Sequence, residues 1–252
     1  MPESPKDLAF KIHRDYYQKG SYGLDRYMWV ITTFLKDCSD KRILEIGCGE
    51  GSLLLLLQSR SQNNVLYGVD ISESGIQKCK EKNINAYLVD VSTEPLPFPD
   101  NFFDIVICLE TLEHLMNPYF AMMEIRRVLK EKGRLICSVP NPLTGHPYLY
   151  PGLFEFKFFC RFLQQCGFRI VQIEPWEWAP RETILPSSLR RFRFLRSRYV
   201  AGVIRRVIER IWRMMGFFPW FCYWLWTFEC VIEDKNLPLP LEVQANETKP
   251  QE

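Results

Sequence analysis

The apolar run at residues 42–46 leads into a turn with glycine at every second position, Gly47, Gly49 and Gly51. Glycine allows a tight turn and lets the backbone approach a ligand without a Cβ in the way. The pattern is G-x-G-x-G, because residue 52 is serine, whereas dinucleotide-binding turns read G-x-G-x-x-G. Glu45, just before the turn, would repel a pyrophosphate but attract a cation. The turn therefore predicts a site for a nucleoside that carries a cationic amino-acid group.

Two further acidic residues end the next two predicted strands. Asp70 follows Gly51 by nineteen residues, and an acid at about that distance accepts hydrogen bonds from ribose hydroxyls. Asp90 ends the following strand and could accept a hydrogen bond from an adenine amino group. A loop without a ligand is the alternative explanation of the glycine turn, but it leaves both acidic residues unexplained.

A second group of reactive side chains follows the fourth predicted strand. Glu110, Glu113 and His114 are spaced so that a helix would place them on one face. Two carboxylates and an imidazole form a plausible site for a divalent metal ion with oxygen-rich ligation. His114, or His146 after the fifth strand, could instead be the general base for a hydroxyl acceptor. An unperturbed imidazole pKa of about 6.5 suits that task.

Alternating strands and helices must position these residues. Short apolar runs predict strands over 42–46, 65–70, 86–89, 104–109 and 134–139, and helical patterns fall over 52–58, 73–82 and 119–130. A helix over 153–166 and strands over 168–174 and 227–233 follow. This alternation predicts βαβ units and a parallel sheet. Ligands of such sheets bind beyond the carboxyl ends of the strands, where the glycine turn and the acidic residues lie.

These motifs resemble, in order and spacing, those of the class I S-adenosylmethionine-dependent methyltransferases, in the broad group with quinone-biosynthesis and small-molecule O-methyltransferases. The resemblance covers about residues 40–175 and 226–235 and rests on residues 45–51, 69–72, 90, 103–108 and 127–136. It implies an α/β fold with a Rossmann-like, doubly wound sheet of seven strands, parallel except the last, which lies between the fifth and sixth. The stretch 176–225 would then be a helical insertion between the last two strands.

The resemblance also implies that S-adenosylmethionine is the cofactor. The residues that would contact it are Glu45, Gly47, Gly49, Gly51, Asp70, Ile71, Asp90, Val91 and Glu110. Methyl transfer needs little more from the protein than alignment and exclusion of water, because the sulfonium is already activated.

Similar Glu-x-x-Glu-His sequences occur in metal-dependent members of the family, including enzymes that methylate small RNAs. In the latter a downstream histidine completes the site. This likeness implies that Glu110, Glu113, His114 and His146 bind Mg²⁺ or Mn²⁺. In other relatives with no known metal the same sequence caps the strand and faces the cofactor, so the sequence leaves metal binding open.

The stretch 176–225 is basic and aromatic. Nine arginines and a single acidic residue lie between Arg190 and Arg213, although the net charge of the whole chain is only +2. Apolar residues at helical spacing over 200–215, followed by an aromatic run over 217–226, predict an amphipathic segment on an anionic membrane surface. A lid over the acceptor pocket is the alternative. Single-stranded nucleic acid is a third partner for such a segment, but the acidic remainder of the chain disfavours it.

The remaining features predict one cytoplasmic domain, which would be peripheral to a membrane if the stretch 176–225 binds one. Nine cysteines without C-x-x-C spacing indicate reduced thiols, and the first residues lack the apolar run of a secretory signal. We expect a single methyltransferase domain over 1–235. An N-terminal helical lid, or alternatively a surface helix against the sheet edge, would occupy 1–40. Residues 236–252 would form a disordered tail.

Three functional hypotheses follow from the sequence. The first is O-methylation of a small or lipid-linked acceptor, which a membrane surface could present. The second is a metal-dependent RNA 2′-O-methyltransferase. The third is a non-catalytic scaffold that binds the cofactor and docks on a membrane.

Overall fold

The computed structural model describes residues 24–36, 38–60, 63–144, 146, 148–178, 207, 211 and 223–233. Residues 1–23 of the predicted lid, most of the predicted insertion and the whole predicted tail lie outside these ranges. None of the helices in the described ranges combines the length and apolar character that a membrane span requires.

Helices and strands alternate through the first two thirds of the described chain. The elements are α1 (Leu24–Phe34), β1 (Arg42–Ile46), α2 (Ser52–Arg60), β2 (Val65–Asp70), α3 (Glu73–Glu81), β3 (Asn85–Leu88), β4 (Phe103–Leu109), α4 (Pro118–Val128), β5 (Leu129–Pro140), α5 (Phe156–Gln165), β6 (Phe168–Trp178) and β7 (Tyr223–Ile232), with short 3₁₀ turns at Leu112–His114 and Pro142–Thr144.

The strands of the described residues form one seven-stranded sheet in the order β3-β2-β1-β4-β5-β7-β6. Strands β1 to β5 are parallel, whereas β7 pairs antiparallel with both β5 and β6. The predicted doubly wound fold, with its last strand between the fifth and sixth, is therefore confirmed. The strand order reverses between β1 and β4, and their carboxyl ends form the crevice in which such folds bind ligands.

Both faces of the central strands are covered, which explains their continuous apolar runs. In β4, Val106 and Cys108 face a core that includes α4 and α5, whereas Ile105 and Ile107 face a core with α1 and α2. Helix α1 contributes Val30 to the second core. The described part of the N-terminal segment thus packs on one face of the sheet.

Several predicted boundaries differ from the structure by one to five residues, and two of these differences are explained by the strand pairing. Strand β5 begins at Leu129, ahead of the predicted residue 134, because Leu129 already pairs with Phe103 before an irregularity in the ladder. Strand β6 continues to Trp178, into the predicted insertion, because Trp176 pairs with Leu225 of β7. Pro175 lies within β6, where its missing N–H is tolerated because β6 is an edge strand.

Candidate active site

The glycine turn after β1 adopts a conformation that favours glycine at all three positions. Gly47, Gly49 and Gly51 have φ angles of 75°, 52° and 77°. The backbone N–H groups of Gly47 and Cys48 both donate to the carbonyl of Val69, at 2.8 and 3.1 Å. A Cβ on Gly47 would lie 2.3 Å from Thr111 Oγ1. The turn is therefore fixed against β2 and against the segment after β4.

Asp70 holds the glycine turn from the end of β2. Its Oδ2 accepts a hydrogen bond from the N–H of Gly49 at 2.7 Å, and its Oδ1 accepts one from the N–H of Ser72 at 2.8 Å. The Ser72 hydroxyl in turn accepts from the N–H of Gly75 and caps α3. Each carboxylate oxygen keeps a further lone pair, so Asp70 can position the turn and still accept from a ligand hydroxyl.

Asp90 lies beside Asp70 at the same edge of the sheet. The N–H of Val89 donates to the backbone carbonyl of Asp70 at 3.0 Å, and the Asp90 carboxylate accepts from the N–H of Ser92 at 3.0 Å. Val91 is buried, and Ile71 is half-buried. The acidic residues predicted to contact a nucleoside are thus on adjacent strand ends.

Glu45 is a buried carboxylate at the carboxyl end of β1. Its side chain is only 3% exposed, and its Oε2 atom has no hydrogen-bond partner among the described residues. Burial raises the pKa of Glu45 well above its ordinary value, the nearby charge of Asp70 raises it further, and Arg26 opposes the increase. An unpaired buried carboxylate is unfavourable, and a cationic ligand group would compensate it.

Glu110 is placed differently from its sequence prediction. It has a left-handed φ of 47°, and its N–H donates to the carbonyl of Ser138 at 3.0 Å. Its carboxylate accepts a hydrogen bond from Arg26 of α1. The shared helix face predicted for Glu110, Glu113 and His114 is wrong, because only the single 3₁₀ turn Leu112–His114 follows. Glu110 therefore faces Arg26 and lies apart from the two histidines.

The other three predicted ligands do come together, and we call them the Glu-His-His cluster: Glu113, His114 and His146. The two Nε2 atoms are 3.3 Å apart, and Glu113 Oε1 lies 3.9 Å from His114 Nε2 and 3.7 Å from His146 Nε2. Bonds of about 2.1 Å to one tetrahedral ion place ligand atoms about 3.4 Å apart. The spacing of the cluster therefore fits a divalent cation.

Glu113 is the most deeply buried member of the Glu-His-His cluster. It is 0% exposed, and neither carboxylate oxygen has a hydrogen-bond partner in the part of the chain that the structure describes. Burial raises the pKa of Glu113 to about 8. Such a group can serve either as a metal ligand or as a proton acceptor near neutral pH.

Three residues that the sequence analysis missed support the site. Arg26 reaches Glu110 from α1, and Thr111 donates its hydroxyl to the carbonyls of Ile46 and Leu109. Tyr148 packs its ring edge-on against His146, with centroids 5.4 Å apart, and donates its hydroxyl to the carbonyl of Pro140. The position of Tyr148 two residues after His146 was an available signal, whereas Arg26 carries no recognisable motif.

Three exposed apolar side chains, which we call the apolar rim, lie on the chain segments that carry the cluster. Met116, Leu143 and Tyr150 are 43%, 51% and 43% exposed, and the Tyr150 hydroxyl donates to the carbonyl of Met116 at 2.9 Å. The segments that carry this rim, residues 111–125 and 135–156, contain no lysine or arginine. The rim therefore favours an apolar ligand over a polyanion.

Comparisons with known proteins agree with this geometry. A family model described as "Methyltransferase domain" matches residues 44–137. An uncharacterized protein of Methanocaldococcus jannaschii is 37% identical over 44% of this chain and 47% of its own length. A fatty-acid O-methyltransferase of Mycolicibacterium smegmatis is 31% identical over 49% of this chain and 47% of its own. The chain thus spans about half the length of these curated relatives.

A solved structure shares the fold. The crystal structure of a SAM-dependent methyltransferase from Archaeoglobus fulgidus superposes with a TM-score of 0.58 at 23% identity, covering 88% of this chain and 99% of that one.

Proposed function

We propose that this chain, which belongs to the class I S-adenosylmethionine-dependent methyltransferases, methylates a small or lipid-linked apolar acceptor. The methyl group of S-adenosylmethionine would be transferred to a hydroxyl or carboxyl oxygen of that acceptor. The observation that carries this proposal is the contact between the glycine turn and Thr111. Glu113 and His114 of the Glu-His-His cluster follow Thr111 within three residues of the chain. The proposed nucleoside site and the proposed proton-accepting site are therefore neighbours.

The proposed cofactor contacts follow from complementary charge. Glu45 would pair with the ammonium group of the methionine moiety, Asp70 with the ribose hydroxyls and Asp90 with the adenine amino group. Gly47, Gly49 and Gly51 would admit the cofactor close to the backbone, beside Ile71 and Val91. Glu110 would act with Arg26 near the methionine moiety.

The apolar rim supports an apolar acceptor over RNA. A polyanion needs basic side chains near its binding site, and residues 111–125 and 135–156 supply none. The Mycolicibacterium smegmatis relative, a fatty-acid O-methyltransferase by name, is compatible with this choice. Association with an anionic membrane surface through the basic stretch 176–225 remains part of the proposal.

The Glu-His-His cluster would activate the acceptor. A divalent ion held by Glu113, His114 and His146 would act as a Lewis acid that lowers the pKa of the acceptor hydroxyl. Two imidazoles among three ligands favour Mn²⁺ over Mg²⁺, which prefers oxygen ligands. Glu113 takes the acceptor proton in the absence of an ion, and the ring of Tyr148 keeps His146 in place.

We expect the chelator-treated protein to bind one Mn²⁺ ion, because three ligand atoms lie within 4.8 Å of one another and one of them belongs to a carboxylate without a hydrogen-bond partner among the described residues. Electron paramagnetic resonance of Mn²⁺ titrated into the protein measures this stoichiometry. His146→Ala should weaken Mn²⁺ binding by at least about tenfold, whereas Glu50→Gln, which changes a carboxylate outside the cluster, should not. Equal Mn²⁺ affinity of wild type and His146→Ala would remove the metal from the proposal.

Arg26 is expected to recognise the carboxylate of the methionine moiety. Its guanidinium donates a hydrogen bond to Glu110, and its positive charge opposes the rise in the pKa of Glu45, so it lies near both carboxylates of the proposed site. Arg26→Ala should reduce affinity for S-adenosylhomocysteine by about 10- to 100-fold, as loss of a charged hydrogen bond does. Affinity for 5′-methylthioadenosine, which lacks the amino-acid group, should stay unchanged. Calorimetric titration of both ligands measures the difference.

Arg42→Ala is the matched control for Arg26→Ala, since the exposed Arg42 guanidinium lies over the Phe102 ring, away from Glu110. An equal loss of affinity for both nucleosides in Arg26→Ala would assign Arg26 a purely structural role in docking α1.

The experiment that tests the function combines ligand binding and turnover. S-Adenosylhomocysteine at about 100 times its dissociation constant should stabilise the protein by about 2.7 kcal/mol, and NAD should not. Methyl transfer from labelled S-adenosylmethionine is then measured with fatty acids, long-chain alcohols, the same compounds in anionic vesicles, and a small RNA. Label in the lipid fraction supports the proposal. Label only in RNA, or no nucleoside binding, would contradict it.

A further inference from the structure

The glycine turn carries a thiol that meets a second thiol from α3. Cys48 lies between Gly47 and Gly49 and is 5% exposed, and Cys79 of α3 is 0% exposed. Both thiols lie against the carbonyl of Gly49, Cys48 Sγ at 3.8 Å and Cys79 Sγ at 3.4 Å, so one backbone oxygen brings the two sulfur atoms together. The turn is thus joined to α3 through sulfur.

Glycines make room for both sulfur atoms. A Cβ on Gly68 would lie 2.6 Å from Cys48 Sγ, and a Cβ on Gly51 would lie 3.1 Å from Cys79 Sγ. A Cβ on Gly75, which follows the α3 cap, would lie 2.7 Å from the carbonyl of Gly49. The turn and α3 are packed so closely here that neither sulfur can change partners without moving the backbone.

We propose that Cys48 and Cys79 form a reversible disulfide that moves the glycine turn and weakens cofactor binding, so that a peroxide switches the site off. This inference rests on the proposed function, because it takes the glycine turn as the cofactor site. Cys79 is the attacking thiol, since its interaction with the neighbouring Cys48 side chain lowers its pKa and the thiolate is the reactive form.

The chemistry balances with hydrogen peroxide as the oxidant. The Cys79 thiolate attacks one peroxide oxygen, the O–O bond breaks, and Cys79 sulfenic acid and hydroxide form. The Cys48 sulfur then displaces hydroxide from the sulfenic acid and forms the S–S bond, and the proton from its thiol completes the second water molecule. Two thiols are oxidised to one disulfide while one peroxide is reduced to two water molecules.

The disulfide would change the turn because its geometry differs from that of the paired thiols. An S–S bond is about 2.05 Å long, so the sulfur atoms must leave their contacts with the carbonyl of Gly49 and approach each other. That carbonyl then loses both S–H donors. The N–H of Gly49 is held by Asp70 at 2.7 Å, so a shift of Cys48 also disturbs the acidic residue that ends β2.

The test compares reduced and peroxide-treated full-length protein. Intact mass should fall by about 2 Da for one disulfide, and peptide mapping should link Cys48 to Cys79. It must distinguish this link from one between Cys137 and Cys230, another pair of neighbouring buried thiols in the described part of the chain. The dissociation constant of S-adenosylhomocysteine should rise at least about tenfold on oxidation and recover with dithiothreitol.

Variants keep the test falsifiable. Cys79→Ser and Cys48→Ser should each lose the change in affinity between reduced and oxidised protein, whereas Cys160→Ser, with a half-buried thiol on α5, should keep it. Alkylation of both thiols after peroxide treatment, or a disulfide without a change in affinity, overturns the inference. Failure of the reduced protein to bind S-adenosylhomocysteine contradicts the proposed function instead. Peptide mapping shows independently of that result whether Cys48 and Cys79 form a disulfide.

Discussion

Glu113→Gln is expected to lower kcat by about 10²- to 10⁴-fold, the range for loss of a group that accepts the acceptor proton. Glutamine has nearly the same shape but can neither take a proton nor supply a charged metal ligand. Affinity for S-adenosylhomocysteine should be retained, because the proposed cofactor contacts lie on the other side of Thr111. Steady-state turnover with the best acceptor of the lipid series, together with calorimetric titration of the nucleoside, measures both quantities.

Glu229→Gln is the matched control for Glu113→Gln. Glu229 is also buried, at 8% exposed, but it accepts a hydrogen bond from Arg134 at 2.6 Å, and glutamine can still accept that bond. Its kcat should stay close to that of the wild type. If Glu113→Gln retained full turnover, methyl transfer would rely on alignment alone, and the Glu-His-His cluster would have no part in acceptor activation.

Glu113 should also make stability dependent on pH in the presence of a chelator. Its folded-state pKa of about 8 is above the value of about 4.3 in an unfolded chain, so the unfolded state releases its proton first. Stability is then highest at low pH and falls as pH rises from about 4.3 towards 8, by up to about 1.36 kcal/mol per unit from this group. Glu113→Gln removes this contribution, and denaturant titrations at several pH values measure the difference between the two proteins.

Gly47→Ala is expected to remove cofactor binding and to destabilise the fold. The added Cβ would lie 2.3 Å from Thr111 Oγ1, and the φ of 75° is one that alanine adopts unfavourably. The conformation contributes about 1–2 kcal/mol and overpacking about 1–3 kcal/mol to the loss of unfolding free energy. The turn cannot relax without disturbing Asp70, so affinity for S-adenosylhomocysteine should fall at least about 100-fold, an amount that corresponds to about 2.7 kcal/mol. Denaturant unfolding and calorimetry measure the two effects.

Two further variants separate the causes of the Gly47→Ala effect. Gly152→Ala adds a Cβ that meets nothing within 4 Å, and it should change neither stability nor binding. Thr111→Ala combined with Gly47→Ala removes the clash with the hydroxyl but keeps the unfavourable φ, so the double variant should recover only part of the stability. Normal nucleoside affinity in Gly47→Ala would place the cofactor elsewhere.

The sequence predicted the fold and the positions of the acidic residues in it well, because both depend on local patterns. The limits of β1 and β2 agree with the structure, and Glu45, Asp70 and Asp90 lie at adjacent strand ends as expected. A strand has the same periodicity whatever surrounds it, and parallel strands end at a common edge. These residues could therefore be placed without knowledge of how the helices pack.

The rest of the site depends on contacts that no local pattern contains. The pairing of Arg26 with Glu110 joins residues 84 positions apart and follows from the docking of α1 across the sheet. The left-handed turn at Glu110 is not encoded by a glycine and arises where the N–H of Glu110 bonds to Ser138. The contact between Cys48 and Cys79 likewise appears only when α3 is packed against the glycine turn.

The position of β7 sets a constraint on how the chain can be made. Strand β6 is at the edge of the sheet and pairs only with β7 among the described strands, yet the ribosome delivers β7 after residues 179–222. A nascent chain that ends within this interval already contains the strands β1 to β4 of the nucleoside site but has no partner for β6. At about 5–20 residues per second, this unpaired strand persists for seconds. Late delivery of a central strand thus leaves the unpaired edges of β5 and β6 open to pairing with other chains during this stage of synthesis.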